Sequence, residues 1–142
     1  MIVDTSALLA ILFDEPDAES YARALAGADT ARLSAGSFVE AAIVVEAQTD
    51  AGGRGQFDTL IRRAGIVIEP FTEERAHIAR QAYTDFGKGR HPAGLNFGDR
   101  FAYALARATA EPMLFKGEDF SKTDITPALP SPQTPSQRPR GT

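Results

Sequence analysis

A chain of 142 residues, 43% of them hydrophobic, is long enough to bury one ordinary core and fits a single domain. The absence of cysteine excludes disulfides, cysteine-ligated zinc, iron–sulfur clusters and thiol nucleophiles. No apolar run is long enough to span a membrane and no signal-peptide pattern opens the sequence, so we expect a cytoplasmic protein with no membrane partner.

Charge is unevenly distributed along the chain. The net charge is −4, but the last 16 residues contain two arginines and no acid, so the first 126 carry 13 basic and 19 acidic residues, a net charge of −6. An acidic domain does not attract a polyanion by long-range charge. Binding to a nucleic acid would therefore require a local basic rim or bound cations.

Short apolar runs of strand length alternate with helical patterns. The predicted strands are residues 1–3, 30–34, 65–68 and 113–115, with a short edge strand at 124–126. The predicted helices are residues 7–13, 16–25, 37–51, 56–64, 72–86 and 96–106. This alternation predicts an α/β fold, in which about five parallel strands form one sheet with helices on both faces.

The composition changes at residue 127. Residues 127–142 contain five of the nine prolines and almost no apolar residue, so this segment cannot bury enough surface to fold. We therefore expect one domain over residues 1–126 and a proline-rich disordered tail over residues 127–142.

Four acidic residues lie near the predicted ends of strands or starts of helices. Asp4 follows the first strand and Asp119 follows the fourth, while Glu40 and Asp99 lie near the starts of two helices. Ligands of open α/β sheets bind beyond the carboxyl ends of the strands, so we expect the four carboxylates to converge on one pocket. Their repulsion would raise pKa values unless a cation compensates, and an oxygen-only ligand set favours Mg²⁺ or Mn²⁺ over zinc.

Each acid also has a purely structural explanation. Asp4 can cap the helix that follows it, and Asp119 can belong to an ordinary turn. Glu40 lies three residues after Ser37, the spacing of a capping box. Asp99 can complement a helix dipole. The functional interpretation therefore depends on the four acids as a set.

Several motifs together resemble the PIN-domain family, in the form of the VapC-type toxins of toxin–antitoxin pairs. In order, over about the first 126 residues, they are residues 2–7 (IVDTSA), Ser37-x-x-Glu40, residues 96–99 (NFGD) followed by the alanine-rich residues 102–106, and residues 115–120 (FKGEDF). Residues 14–17 (DEPD), after the first helix, are also similar to these toxins.

The resemblance implies a single PIN-like domain with a five-stranded parallel sheet and an acidic metal site. It implies an endoribonuclease toxin that forms a homodimer and is neutralised by a cognate antitoxin protein. Carried over by position, Asp4, Glu40 and Asp99 are the core acids. Asp119 is the fourth, with Glu118 as the alternative.

Two further positions match the family's supporting polar residues. Ser6 and Asn96 are expected to orient acids or water rather than to bind metal. In the implied reaction, one or two Mg²⁺ or Mn²⁺ ions activate a water that attacks an RNA phosphodiester bond and leaves a 5'-phosphate. Four basic residues flank the proposed edge and are either contacts for RNA phosphates or part of a solvated rim: Lys88, Arg90, Arg100 and Lys116.

Other classes of protein fit less well or remain open. A haloacid-dehalogenase-type phosphatase needs a second Asp two residues after the first, where this chain has Ser6, and residues 4–7 lack a phosphate-cradling glycine loop. A catalytically inactive PIN-like module that binds RNA or protein, with its acids as helix caps, is one alternative. A structure-specific DNA nuclease is another.

Overall fold

Four short parallel strands form one sheet in the computed structural model, which describes residues 1–130. The strands are β1 (Ile2–Val3), β2 (Arg32–Ser34), β3 (Val67–Glu69) and β4 (Met113–Leu114). The helices are α1 (Thr5–Leu12), α2 (Ala18–Gly27), α3 (Ala35–Gln48), α4 (Ala51–Arg63), α5 (Glu73–Phe86) and α6 (Asp99–Thr109). The predicted α/β class and parallel sheet are confirmed.

The order of strands across the sheet is β3-β2-β1-β4. Ile2 pairs with Arg32 on one side of β1, and Val3 pairs with Leu114 on the other. The chain runs outward from β1 in one direction through β2 and β3, then returns to place β4 on the opposite side. This reversal makes the carboxyl edge between β1 and β4 the switch point of the sheet, where open α/β folds bind ligands.

Both faces of the sheet are covered by helices, as predicted. Val3 and Leu114 point into one hydrophobic cluster with α1 to α4, whereas Ile2 and Met113 point into a second cluster with α5 and α6. Successive residues of a strand face opposite sides, so two-residue strands suffice to serve both layers. All four of these side chains are fully buried.

The expectation of about five strands is wrong, because the described residues contain four. At the predicted edge strand, the Met113 amide donates to the Thr126 carbonyl (2.9 Å) and the Ala128 amide donates to the Met113 carbonyl (2.8 Å). Met113 and Pro127 form an isolated bridge. Both bonds use the neighbours of Pro127, and the next donor of a parallel ladder would be residue 130, a proline without an N–H, so pairing stops at this single bridge.

Several helix boundaries differ from the predictions, and those at the starts of α3 and α4 change the predicted caps. α3 begins at Ala35, and Ser34 is its N-cap, with its side-chain oxygen accepting from the Gly36 amide (3.3 Å). The capping box predicted for Ser37 and Glu40 is therefore wrong. α4 begins at Ala51 with Asp50 as its cap, so the glycine pair at 52 and 53 lies inside α4 instead of ending α3.

The first residues of the predicted tail contact the domain. Ala128 and Leu129 pack against the cluster formed with α1 to α4, in addition to the hydrogen bond of Ala128 to β4. Residues 131–142 lie outside the described residues. The tail and its boundary therefore stay a prediction, with residues 127–129 placed against the domain. Among the helices of residues 1–130, none has the length and apolar character needed to cross a bilayer.

Candidate active site

The first element of the site is the end of β1, where Asp4 lies with only 4% of its surface exposed. Its amide donates to the Leu114 carbonyl of β4 (2.9 Å). Its Oδ2 accepts hydrogen bonds from the Ser6 amide (3.0 Å) and the Ser6 hydroxyl (2.6 Å). Asp4 thus caps α1, as its structural explanation requires, while lying at the switch point of the sheet.

Ser6 connects the ends of two strands. Its Oγ donates to Asp4 and accepts from the Lys116 amide (2.9 Å), which follows β4. One hydroxyl therefore fixes the Asp4 carboxylate relative to the loop that carries Asp119. These contacts support the predicted orienting role of Ser6.

Asp99 and Asn96 exchange hydrogen bonds at the start of α6. The Asp99 amide donates to Asn96 Oδ1 (2.9 Å), and the Asn96 amide donates to Asp99 Oδ2 (3.0 Å). This reciprocal pair has the geometry of a capping box. It holds the Asp99 carboxylate, 9% exposed, in one orientation, which supports the predicted supporting role of Asn96.

Glu40 reaches the same region from α3. Because α3 begins at Ala35, Glu40 lies in its second turn and is not part of a cap. Its carboxylate rests on the backbone of Gly98, where a Cβ atom would lie 1.6 Å from Glu40 Oε2 and 2.5 Å from its Cδ. A side chain at position 98 would displace this carboxylate from its place against the Gly98 backbone, next to Asp99 in the chain.

The pKa values of Asp4 and Asp99 are raised mainly by burial and further by the charges of neighbouring acids. Burial raises the pKa of Asp4 to about 6, the hydrogen bonds from Ser6 oppose this, and the charge of Glu40 adds to the increase. Burial also raises the pKa of Asp99 to about 7, opposed by the Asn96 amide and reinforced by the charges of Asp4 and Asp119. Two helix-capping carboxylates would ordinarily have lowered pKa values, so capping alone does not account for them.

Asp119 and Glu118 differ in their surroundings. Asp119 acts on the pKa of Asp99 through its charge and a side-chain hydrogen bond. Glu118 lines a separate cleft with Asp17 and Tyr21 of the α2 region. These placements favour Asp119 as the fourth acid.

The donor set has the chemistry of a site for a hard divalent cation, because it consists of carboxylate oxygens. Within residues 1–130, however, no three Asp, Glu or His side chains stand in coordinating positions. The carboxylates are close enough to shift each other's pKa. Because like charges repel, carboxylates without a bound cation are expected to stay farther apart than metal ligands do. Coordination of a metal would require side-chain rotation.

The four predicted phosphate contacts lie in different settings. The ammonium of Lys116 is 2.5 Å from Glu15 Oε1, and this hydrogen bond raises its pKa. The guanidinium groups of Arg90 and Arg100 lie 5.0 and 4.7 Å from the centre of the Tyr83 ring. The side chain of Lys88 is exposed.

Sequence reasoning missed three participants in this region. Gly98 contacts the carboxylate of Glu40, Glu15 forms an ion pair with Lys116, and the Tyr83 ring forms cation–π contacts with two arginines. Gly98 stands within the motif of residues 96–99, but nothing local shows which side chain approaches it. Gly98 with Glu40 and Glu15 with Lys116 join residues distant in sequence, whereas Tyr83 lies on α5 and its two arginines lie on the loop that follows and on α6.

The fold and these acids define a class of protein, and comparisons with known proteins agree with it. The family model described as the PIN domain matches residues 1–125. The chain belongs to the PIN-domain family and, within it, to the VapC-type proteins.

Particular relatives can be named. Ribonuclease VapC28 of Mycobacterium tuberculosis is 55% identical over 130 residues, which cover 91% of this chain and 98% of the relative. The crystal structure of M. tuberculosis VapC20, a sarcin-ricin-loop-cleaving toxin, has a TM-score of 0.70 at 16% identity and covers 88% of this chain and 95% of its own. A toxin–antitoxin complex from Klebsiella pneumoniae has a TM-score of 0.67 at 12% identity, covering 90% and 97%. The two structures show likeness of fold.

Proposed function

We propose that this chain is a Mg²⁺- or Mn²⁺-dependent endoribonuclease that hydrolyses RNA phosphodiester bonds. The observation that carries the proposal is the convergence of Asp4, Glu40, Asp99 and Asp119 from four separate segments on the switch point of the sheet. The ribonuclease names of relatives that share about half of its residues supply the reaction class.

Asp4 and Asp99 would hold the principal ion, and Glu40 and Asp119 would complete the site. The chemistry supplied by a bound divalent ion is a lower pKa for the attacking water and neutralisation of charge on the phosphate. The residues around the acids hold their carboxylates in position. Ser6 holds Asp4, Asn96 holds Asp99, and Gly98 leaves the space for Glu40.

The proposal includes a cognate antitoxin, a homodimer and a cytoplasmic location. Val39 and Ile43 lie one turn apart on α3 with 54% and 62% of their surfaces exposed, which provides an apolar face for a protein partner. The K. pneumoniae fold neighbour was solved as a toxin–antitoxin complex. Mass measurement of the purified chain with and without an antitoxin encoded beside its gene tests both assemblies.

The activity is tested by incubating the antitoxin-free protein with a mixed RNA pool in Mg²⁺ or Mn²⁺. We expect cleavage that leaves 5'-phosphate ends and is lost with chelator and in Asp99→Asn. Asp29→Asn, which neutralises an exposed acid before β2, is the matched control and should cleave normally. Cleavage that persists in chelator and in Asp99→Asn would refute the mechanism.

A binding module without catalysis is the second candidate, because Asp4 and Asp99 do act in helix capping. Thermal unfolding in a Mg²⁺ titration separates the two candidates. A metal site predicts stabilisation beyond that given by K⁺ at equal ionic strength, and loss of this increment in Asp4→Asn. Single-stranded and branched DNA in the cleavage assay test the DNA-nuclease alternative.

A further inference from the structure

A groove lies between α5 and α6, and its lining includes Phe97 and Arg100, which are close to Asp99 in the chain. It has a volume of about 390 Å³. Its side chains are four aromatic residues and two arginines, with two alanines of α5 as its floor: Phe71, Tyr83, Phe97, Phe101, Arg80 and Arg100. No carboxylate lines it, although the protein as a whole has a net charge of −4. The groove is therefore a local apolar and cationic surface on an acidic protein.

The helix pattern explains the shape of the groove. Ala76, Ala79, Arg80 and Tyr83 lie on one face of α5 at helical spacing, and the two small residues leave space between the helices. Across the groove, the Phe101 ring packs edge-on against Phe71 (4.9 Å between centroids) and Phe97 (5.2 Å). The aromatic wall is thus held in place by its own contacts.

Phe97 is the most exposed large apolar residue of the described chain, with 73% of its surface accessible. It immediately precedes Gly98 and Asp99, so it lies next to the acids. Its neighbour Arg100 stacks on Tyr83, and the Arg100 Nε atom is buried with no hydrogen-bond partner among residues 1–130. Phe97 therefore presents an exposed ring two residues before Asp99, and Arg100, directly after Asp99, has a guanidinium nitrogen without a hydrogen-bond partner among the described residues.

We propose that this groove, which we call the aromatic groove, is a binding subsite for the nucleotide next to the cleaved phosphate of a single-stranded RNA. The base would stack on Phe97, and Arg80 and Arg100 would face the phosphate. Single-stranded nucleic acids are bound by this combination of aromatic faces and arginines. The proposal rests on the proposed ribonuclease function and extends it to how substrate is held.

Charge favours RNA over a second copy of this chain as the occupant. In a symmetric contact between two aromatic grooves, the arginines of one copy would face those of the other. Like charges brought together in an apolar contact are unfavourable. A polyanion with planar bases satisfies both the arginines and the rings. Two of the groove's residues, Phe97 and Arg100, also lie within two positions of Asp99 in the chain.

The test is a binding measurement in the Asp99→Asn background, which prevents cleavage in every sample. A labelled single-stranded RNA of about 12 nucleotides is titrated with protein in Mg²⁺ and followed by fluorescence anisotropy. Phe97→Ala should weaken binding by about 5- to 100-fold, since it removes one base-stacking contact. Phe97→Tyr, which keeps a ring, should restore affinity to within about 2-fold of the parent. Val67→Ala, which truncates an exposed apolar residue on the edge strand β3, is the matched control and should leave affinity unchanged.

A second set of oligonucleotides locates the contact. In this set one nucleotide at a time is replaced by an abasic residue. At one position the replacement should weaken RNA binding by the parent. The same replacement should have little further effect on the affinity of Phe97→Ala, because both changes remove the same stacking contact. Equal affinity of Phe97→Ala and the parent, with RNA bound by both, would overturn the subsite but leave the ribonuclease proposal standing. No RNA binding and no RNA cleavage by the chain with native Asp99 would overturn both. A change of oligomeric mass in Phe97→Ala with unchanged RNA affinity would assign the groove to contact between copies and overturn the subsite.

Discussion

At the scale of single residues, the site depends on how closely a carboxylate and a glycine fit together. Glu40 has no capping function in α3, yet its carboxylate is held against the Gly98 backbone, which has ordinary helical torsions (φ −66°, ψ −36°). The glycine at 98 therefore provides the space that this carboxylate occupies, and the backbone at 98 does not require glycine. Asp4 and Asp99 combine two roles, since each stabilises a helix start and carries a raised pKa.

Gly98→Ala should lower RNA cleavage by about 10- to 100-fold, because displacement of a positioned group by about 1 Å is enough for such a loss. The added methyl group would occupy the position of the Glu40 carboxylate, whereas the backbone at 98 accepts alanine without strain. Initial cleavage rates and thermal unfolding measure the two effects separately.

Gly27→Ala is the control for this variant, because nothing lies within 4 Å of a Cβ at that helix position. It should cleave RNA at the parental rate. Normal activity of Gly98→Ala would show that Glu40 can move without consequence and is not part of the site.

The raised pKa of Asp99 predicts how the stability of the metal-free protein depends on pH. Because the folded-state pKa of about 7 exceeds the ordinary 3.8, the folded state binds more protons than the unfolded state between these values. The free energy of unfolding therefore falls as pH rises through this window, and the contribution is lost above pH of about 7. Asp4, with a pKa of about 6, changes stability in the same direction.

Asp99→Asn should accordingly stabilise the chelator-treated protein at pH of about 8 by on the order of 1–3 kcal/mol, since it removes a buried charge beside other acids. At pH of about 4, close to the ordinary pKa of 3.8, the two proteins should be nearly equal in stability. Denaturant unfolding at both pH values measures the difference. If the difference in unfolding free energy between the two proteins is the same at both pH values, ionisation of Asp99 does not destabilise the folded state.

At the scale of elements, the short strands function mainly as connections that position helix starts. β1 has two residues, and Asp4 caps α1 immediately afterwards. β2 leads with equal directness into α3 through Ser34. The carboxyl ends of β1 and β2 are thus joined to helix N-termini without an intervening loop. This direct connection brings Asp4 and Glu40 toward the same edge of the sheet.

The helix α4 provides a prediction at this scale, because it contains three glycines. Gly55→Ala should raise the free energy of unfolding by about 0.5–1 kcal/mol, as glycine in a helix interior is less favourable than alanine and nothing lies within 4 Å of the new Cβ. Chemical denaturation of the parent and of Gly55→Ala measures this change in the free energy of unfolding.

Gly53→Ala is the matched comparison in the same helix. Its Cβ would lie 2.0 Å from Thr49 Oγ1, so this substitution should destabilise the protein. Equal effects of the two substitutions would contradict the packing of α4 against the turn at Thr49.

At the scale of the whole molecule, the sheet order and the chain after β4 complete the domain. The order β3-β2-β1-β4 places the loop after β4 beside Asp4, which brings Asp119 to the site. The chain then passes back along β4, where Ala128 bonds to Met113 and Leu129 packs on the core.

A chain that ends after Thr126 should therefore be less stable than one that ends after Pro130, by about 1–3 kcal/mol. It loses one backbone hydrogen bond and the burial of an apolar side chain. Denaturant unfolding of the two shortened chains, in the same buffer, measures the difference. Equal stability would place the end of the domain at residue 126, as the composition alone predicts.

The sequence alone determined the fold class and predicted which acids form the site. Alternating strand and helix patterns predict a parallel sheet with two covered faces, and the absence of cysteine with acids near successive element ends points to oxygen ligands. These properties are encoded locally, in the order of apolar runs and in residue type. They required no knowledge of which distant residues meet.

Only the tertiary structure decided the start of α3, the position of Glu40 and the partner of Lys116. Ser34 and Ser37 are both local signals for a helix start, and pairing of β2 with β3 as far as Ser34 and Glu69 selects the first. The contact of Glu40 with Gly98 joins two segments brought together by the packing of α3 and α6, and that of Lys116 with Glu15 joins residues 101 apart. Contacts of this kind depend on the path of the whole chain, because side-chain chemistry specifies what can bind but only packing specifies what lies within reach.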